Sequence, residues 1–242
     1  MRDLSKRVIR AAGIEEAARK LLFAINRARR LMSGRDRILM DAYFKTPVPH
    51  KLHLGCGPHV LDGWLNSDYD PKSKDVLYLD VTRRFPFDAG VFDYVFCEHL
   101  IEHIHFTDGL KMIEECHRVL KPGGKLRVAT PNLQFLVDLY NSDKSELQES
   151  FIKHSTDNNI PWVSRYEDTF VINDYVRAWG HQFIYDEKVL KNALSDAGFV
   201  DFSRRDVSES GDANLRSLEN EERKPAGMIR LETIVVEGTR GA

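Results

Sequence analysis

This sequence has few cysteines, no long apolar run and a net charge close to zero. The three cysteines, Cys56, Cys97 and Cys116, are widely spaced and form no C-x-x-C pair. We therefore expect reduced thiols that bind no metal rather than a disulfide framework. No stretch approaches the roughly 18 to 20 apolar residues of a membrane span. The basic N-terminus also lacks the apolar region and cleavage site of a signal peptide, so the sequence predicts a cytoplasmic protein.

The charges are distributed unevenly, although the net charge is only −2. Residues 1–37 contain eleven basic and four acidic residues, whereas the remainder contains 24 basic and 33 acidic residues. The acidic body argues against a nucleic-acid partner. Residues 1–46 are predicted to be helical, with the apolar face packed on the domain; the alternative is peripheral contact between this basic helix and an anionic membrane surface. The predicted apolar face contains Ile14, Ala17, Ala18, Leu21, Leu22 and Ile25.

Residues 51–70 contain a short apolar run, two glycines and a second apolar run. The first run, 51–54, is typical of a strand in a parallel sheet, and Gly55 and Gly57 predict a sharp turn whose backbone can approach a ligand. Asp68 follows at the tip of the next predicted strand. A carboxylate at this place can accept two hydrogen bonds from a ribose diol. The pattern is weak alone, because a plain turn between strands looks the same.

The rest of the chain predicts an α/β protein with a mainly parallel sheet. Further strands are predicted at 76–79, 91–97, 125–130, 199–204 and 231–238, and helices at 106–120 and 186–197. The polar connection 205–230 is long for a compact domain and is predicted to be a flap or mobile loop. Residues 133–180 form an insertion with many side chains that could face a substrate, namely Tyr140, His154, Trp162, Arg165, Tyr166, Tyr175, Arg177 and Trp179, with His181 directly after it.

The spacing between the predicted strands is short. Ten residues separate Gly57 from Asp68, and eleven separate Asp68 from Asp80. A crossover helix needs at least about 10 to 12 residues in addition to the strands. The helices that normally cover one face of such a sheet should therefore be reduced or absent, and we expect the N-terminal helices, residues 5–46, to cover that face.

Four separated segments resemble the class I S-adenosylmethionine-dependent methyltransferases of type 11. The resemblance implies a Rossmann-like three-layer sandwich with a mainly parallel seven-stranded sheet whose last strand is antiparallel. It further implies a methyltransferase domain at 47–242 with a substrate-side cap at about 133–180, preceded by a helical extension at 1–46. The segments are LHLGCG (52–57), NSDYDP (66–71), FDYVFCEHLIEHI (92–104) and HRVLKPGGKLRVATPN (117–132), and GHQFIYDEKVLKNALSDAGF (180–199) extends the similarity.

The same resemblance implies S-adenosylmethionine as the cofactor and assigns residues to its site. His53 departs from the family, which usually has an acidic residue two places before the first glycine. The implied residues are Gly55, Cys56 and Gly57 in the methionine turn, Asp68 and Tyr69 at the ribose, Asp80 and Val81 at the adenine, and Glu98 and His99 in the wall between cofactor and substrate.

The predicted reaction is methyl transfer to a hydroxyl or amine of a small molecule, with a saccharide or glycan precursor as the first candidate acceptor. A non-sugar metabolite is the alternative acceptor, and a catalytically silent cofactor-binding partner subunit is the alternative function. Transfer to a hydroxyl requires alignment and removal of a proton. His181, His99 and His103 are the candidate bases because imidazole titrates near neutral pH, and His181 is preferred because it follows the insertion.

Two rival motifs are set aside. Residues 99–103 match H-x-x-E-H, a zinc-protease pattern, but that pattern needs one helix presenting both histidines, whereas here it follows a buried strand. A nicotinamide-dependent oxidoreductase would place a third glycine at the position held by Val60. The sequence therefore predicts neither a metal site nor a nicotinamide site.

Overall fold

The computed structural model describes residue 18, residues 21–141 and residues 143–241. The helix predicted for residues 1–17, 19 and 20 lies outside these ranges. Residues 21–33 are helical (α1). Among the described residues, no helix is long and apolar enough to cross a membrane.

Within the described ranges the strands form one seven-stranded sheet in the order β3-β2-β1-β4-β5-β7-β6. Strands β1 to β5 pair in parallel, and β7 runs antiparallel to both β5 and β6. The predicted Rossmann-like fold with an antiparallel last strand is confirmed. The strands are β1 (Lys51–Leu54), β2 (Leu65–Asp68), β3 (Leu77–Tyr78), β4 (Phe92–Glu98), β5 (Leu120–Pro131), β6 (Phe199–Arg205) and β7 (Thr233–Arg240).

The helices are distributed unevenly along the chain. Among the described residues, the connections from β1 to β2, from β2 to β3 and from β3 to β4 contain no helix, as their lengths predict for the first two. The α-helices after α1 are α2 (Arg35–Tyr43), α3 (Phe106–Val119), α4 (Leu133–Asn141), α5 (Glu146–Asn159), α6 (Asp168–Arg177), α7 (Glu187–Asp196) and α8 (Met228–Glu232), and short 3₁₀ helices cover Ile101–His103, Ala213–Leu215 and Glu221–Arg223.

Because successive strand residues point to opposite sides, the sheet has two distinct inner surfaces. Val95 and Cys97 of β4 belong to the larger apolar cluster, whereas Phe96 belongs to another. Helices α3 and α7 pack on the first face through residues such as Ile113 and Leu190. Helix α2 packs on this face too, through the partly buried Leu39, Met40, Tyr43 and Phe44. We call this side the helical face.

We call the opposite side of the sheet the looped face. Its structure shows that the prediction for the connection 205–230 is wrong. This segment is a packed layer and not a flap, because Val207, Leu215 and Leu218 are buried against Trp64 and Phe96. It supplies the cover that was expected from the N-terminal helices, whereas α2 lies on the helical face. The early crossover helices are missing, so their side of the sheet is covered instead by the last connection of the chain.

A buried ion network holds this layer to the sheet. Arg127 of β5 is fully buried, and its guanidinium donates two hydrogen bonds to the carboxylate of Glu219, with Nε 2.7 Å from Oε1 and Nη2 2.9 Å from Oε2. Its Nη1 donates to Glu237 Oε1 of β7 over 2.7 Å. Because buried charges are costly unless paired and hydrogen-bonded, this network fixes where the segment 206–230 lies.

Helices α4, α5 and α6 form a cap with a small core of its own. Phe135, Leu139, Phe151 and Tyr175 are buried together in a cluster separate from the two sheet faces. Ser145 caps α5 in a capping box with Gln148, so the start of this helix is specified locally. The assignment of this cap to the substrate side, and the domain boundary after residue 46, stay predictions.

Candidate functional site

The turn after β1 has the backbone that its glycines allow. Gly55 and Gly57 have φ angles of +63° and +52°, in the left-handed region that L-residues other than glycine rarely adopt. A Cβ at Gly55 would lie 2.7 Å from Leu100 Cδ1, whereas a Cβ at Gly57 would meet nothing within 4 Å. Gly55 is therefore required by close packing, and Gly57 faces open space that a ligand can enter.

The turn is tied to the tip of β2. The Gly57 amide donates to Asp68 Oδ2 over 2.9 Å, and the Asp70 amide donates to Asp68 Oδ1 over 2.7 Å. The Cys56 amide donates to the carbonyl of Ser67 over 2.9 Å. These bonds place the carboxylate of Asp68 beside the open side of Gly57. A turn with open space before its second glycine and a carboxylate next to it fits a cofactor with a ribose diol.

Other predicted cofactor residues lie along the same edge. Asp80 follows β3 and accepts hydrogen bonds from the Thr82 amide and hydroxyl at Oδ1. Val81, beside it, is buried. Tyr69 is half exposed, and its ring stacks on Phe23 of α1 with centroids 5.0 Å apart. The N-terminal helix thus reaches the tip of β2, a contact that the sequence did not indicate.

Two buried side chains in this region lack the reactivity that their type suggests. Burial raises the pKa of the Cys56 thiol to about 11, so it is not a nucleophile near neutral pH. Burial also lowers the pKa of His53 to about 4, and its Nδ1 donates to Asn66 Oδ1 over 3.0 Å. His53 packs on Phe96 on the looped face, so it is a neutral structural residue.

Glu98 at the end of β4 is held by the packed connection. Its carboxylate accepts hydrogen bonds from the Asn220 amide at 3.1 and 3.2 Å, and Arg223 Nη2 lies 3.2 Å from Oε1. These contacts join the segment 206–230 to the strand tip that was predicted to separate cofactor and substrate. Its role in that wall stays a prediction.

The three candidate bases are brought together around one carboxylate, which we call the histidine cluster: His99, Glu102, His103 and His181. Glu102 is fully buried. Its Oε1 lies 3.2 Å from His99 Nδ1 and 3.9 Å from His103 Nε2. The rings of His103 and His181 are 4.9 Å apart. Burial alone would raise the pKa of Glu102, but His99 and His103 outweigh it and hold the pKa below its usual value, so Glu102 is ionised.

The histidine cluster borders a cavity of about 590 Å³. Of the side chains that the sequence predicted to face a substrate, four line this cavity: His154, Tyr175, Trp179 and His181. Trp162 and Tyr140 are instead 77% and 63% exposed, and they do not line it; nor do Arg165, Tyr166 and Arg177. The cavity therefore uses the second half of α5, around His154, and the end of the insertion.

Several cavity residues were missed by sequence reasoning. Arg223 and Lys224 of the connection and Glu232 at the end of α8 also line the cavity. Lys224 Nζ contacts Glu232 Oε2 at 2.5 Å, which compensates both charges. Only the charge density of the connection could have indicated them. Glu102 stood inside the H-x-x-E-H pattern, which was weighed only as a protease motif.

The sheet order, the glycine turn and the strand-tip carboxylates fit the Rossmann-like fold of class I methyltransferases. In agreement, residues 65–128 match the family model of a methyltransferase domain. S-adenosylmethionine is the cofactor of the methyltransferase family whose model residues 65–128 match.

Known proteins are similar to parts of the chain. An 82-residue stretch is 34% identical to a ubiquinone biosynthesis O-methyltransferase of Coxiella burnetii, covering 34% of this chain and 31% of the relative; the match thus spans about a third of that protein. A Thermotoga maritima methyltransferase structure is 15% identical with a TM-score of 0.46, covering 90% of this chain and 96% of that one. A Haemonchus contortus phosphoethanolamine N-methyltransferase 2 is 14% identical with a TM-score of 0.44, covering 86% and 53%.

Proposed function

We propose that this protein transfers a methyl group from S-adenosylmethionine to a hydroxyl of a small molecule bound in the 590 Å³ cavity. One observation carries the proposal: residues 98–100 join the two halves of the site. Leu100 packs under the turn at Gly55, while the neighbouring His99 lines the cavity. The cofactor turn and the cavity are thus separated by one short segment after β4.

The proposed base is His99. Its Nδ1 lies 3.2 Å from the ionised Glu102, and its Nε2 lies 3.2 Å from Thr233 Oγ1. A neighbouring carboxylate stabilises the imidazolium that forms when the other ring nitrogen accepts a proton. His99 also has a φ of +47°, and such backbone strain in a residue other than glycine is often found at functional sites. These contacts favour His99 over His181 as the base.

The cofactor supplies an electrophilic methyl group on a sulfonium sulfur. In the proposed step the acceptor oxygen bonds to this carbon as the carbon–sulfur bond breaks, and the hydroxyl proton moves to His99 Nε2. The products are a methyl ether and the demethylated cofactor. Since the acceptor must be aligned with the methyl group, positioning by the cavity walls supplies much of the rate enhancement.

A saccharide or glycan precursor is the proposed acceptor. Tyr175 and Trp179 provide aromatic surface, and His154 and Asn158 provide polar groups in the same cavity. Aromatic faces and convergent polar groups are the usual means of binding a polyhydroxylated ring. The O-methylation named for the Coxiella relative supports oxygen as the acceptor atom. A non-sugar metabolite is the second candidate.

Cofactor binding is tested first, by calorimetry with S-adenosylmethionine and its demethylated product. Gly57→Ala should weaken binding at least tenfold, because its Cβ and strained φ disturb the turn. Gly34→Ala is a matched control: Gly34 also has a positive φ, +62°, with nothing within 4 Å of a Cβ, but it lies between α1 and α2. Equal affinity in both variants would contradict the assignment of the turn.

Turnover is tested second, against a panel of glycan precursors and small hydroxylated metabolites. His99→Gln should lower kcat by about 10²- to 10⁴-fold, as expected for loss of a general base, while cofactor affinity changes by less than threefold. A wild-type protein that binds the cofactor but methylates no acceptor would support the silent partner subunit instead.

We also propose peripheral contact with an anionic membrane surface through α1. Leu21, Leu22, Leu31 and Met32 are 58% to 82% exposed, beside a segment rich in basic residues. Apolar side chains next to basic ones bind the headgroup region of acidic bilayers. Co-sedimentation with acidic but not neutral vesicles is expected, and Leu21→Ser with Leu22→Ser should abolish it. Equal sedimentation with neutral vesicles would contradict the proposal.

A further inference from the structure

Glu102, His103 and His181 each offer one ligand atom, and these atoms all lie within 4.8 Å of one another. The first two are in the 3₁₀ helix after β4, and the third is in the loop before α7. Backbone bonds fix the two segments against each other, since the amides of Gln182 and Phe183 both donate to the carbonyl of Glu102, at 2.7 and 3.3 Å. These backbone hydrogen bonds therefore hold the three side chains close to one another.

The carboxylate of Glu102 has one incompletely satisfied oxygen. Oε2 accepts a hydrogen bond from Thr130 Oγ1 over 3.1 Å. Oε1 receives no hydrogen bond from any described residue, and the 3.2 Å approach of His99 Nδ1 lacks hydrogen-bond geometry. A fully buried carboxylate oxygen without a donor is costly. A cation bound at Oε1 would remove that cost.

His181 is already arranged as a ligand would be. Its Nδ1 lies 2.6 Å from the carbonyl oxygen of Tyr175; because a carbonyl only accepts, Nδ1 carries the hydrogen and Nε2 keeps a free lone pair. Metal-ligating histidines usually donate their other ring N–H to a carbonyl or carboxylate in this way.

Lys224 and Arg223, the two cationic side chains that line the cavity, form no ion pair with Glu102. Lys224 is paired with Glu232, and Arg223 is paired with Glu98. His99 Nε2 is in hydrogen-bond contact with Thr233 Oγ1 at 3.2 Å. Neither Lys224 nor Arg223 is therefore paired with Glu102.

We propose that Glu102, His103 and His181 bind one divalent transition-metal ion, of which zinc is the representative, with an open coordination position toward the cavity. Two histidines and one carboxylate are an established ligand set for zinc and for other divalent first-row metals. Ligand atoms around tetrahedral zinc are roughly 3.4 Å apart, given bonds of about 2.1 Å, so binding needs the ligand atoms, which lie within 4.8 Å of one another, to approach by up to about 1.4 Å. The set differs from the H-x-x-E-H pattern, because His181 replaces His99.

A metal at this place would polarise an acceptor hydroxyl entering from the cavity. That consequence rests on the proposed function, whereas metal binding itself does not. Binding is therefore measured directly, and cofactor affinity is measured on the same samples.

The test is calorimetric titration of chelator-treated, desalted protein with Zn²⁺, repeated with Co²⁺ while the visible absorption of a low-coordinate cobalt site is followed. One high-affinity site per chain is expected. Since changes to groups behind the ligands alone cost 10- to 100-fold in affinity, His181→Asn and Glu102→Gln should each weaken binding by at least about 100-fold.

His154→Asn is the matched control, because His154 lines the same cavity outside the three ligands; its affinity should stay within threefold of the wild type. His103→Asn, at a residue one-third exposed, provides a third variant if Glu102→Gln does not fold. Absence of a high-affinity site, or equal weakening in His154→Asn and His181→Asn, would overturn the proposal.

Discussion

The two faces of the sheet are covered by different kinds of structure. On the helical face, α2, α3 and α7 bury an almost wholly apolar surface. On the looped face, a segment with only short helical turns buries His53, Asn66 and Arg127 along with Trp64 and Phe96. An amphipathic helix is positioned by its apolar stripe, whereas an irregular segment needs specific polar partners. The looped face therefore depends on a few bonds, and the helical face on many small contacts.

The sharpest test of this comparison is Arg127→Met, which leaves Glu219 and Glu237 buried without their shared cation. The free energy of unfolding should fall by about 3–5 kcal/mol, the usual cost of removing one partner of a buried pair. Urea unfolding measures it. Adding Glu219→Gln and Glu237→Gln should recover part of the loss. A loss below about 1 kcal/mol would contradict the view that this network fixes the looped face.

The second test uses the pKa of about 4 that burial imposes on His53. An unfolded histidine titrates near pH 6.5, so between pH 6.5 and pH 4 the unfolded chain binds a proton that the folded chain does not. Stability should therefore fall as the pH falls through this window, by roughly 3 kcal/mol in all, and not further below it.

His53→Phe keeps a ring against Phe96 and removes the titration, while Asn66 Oδ1 still accepts from the Leu61 amide. The fall in stability between pH 6.5 and pH 4 should be smaller in this variant by that amount, as chemical unfolding at several pH values would measure. Identical pH dependence in both proteins would show that His53 is accessible to protons in the folded state.

The smallest expected effect is on the helical face, where contacts are many. Ile113→Val, at a fully buried residue of α3, should cost about 0.5–1.5 kcal/mol without changing cofactor affinity. Lys111→Ala on the same helix breaks an exposed pair with Asp108 and should cost less than about 0.5 kcal/mol. Thermal unfolding ranks the two. A cost above about 3 kcal/mol for Ile113→Val would show that the helical face, like the looped face, depends on a few specific contacts.

The same difference explains what the sequence could predict. The unit of β1, its turn and β2 is formed by residues that are close in sequence. Gly55, Gly57 and Asp68 could therefore be identified from their sequence neighbours. The helical face was found because α3 and α7 carry apolar residues at the helical period. The looped face was missed because Val207, Leu215 and Leu218 follow neither the helix nor the strand period. Arg127, a charge inside a buried strand, was the available signal that a partner must lie opposite.

The histidine cluster shows a second limit. His103 and His181 are far apart in the chain, and their proximity depends on the backbone bonds between residues 102 and 182–183. No local pattern encodes such a contact. Each histidine could be named as a candidate from its position after a strand or insertion, but the shared carboxylate of Glu102 and the contribution of the looped face needed the tertiary structure.

The position of β7 has a consequence for the order of folding. β6 pairs only with β7 in the described sheet, and β7 lies between β6 and β5. During synthesis β6 therefore has no neighbouring strand until β7 emerges. Such non-local pairing is slow. The residues that line the cavity all precede β7 in the chain, so they are synthesised, like the cofactor turn, before β6 can pair.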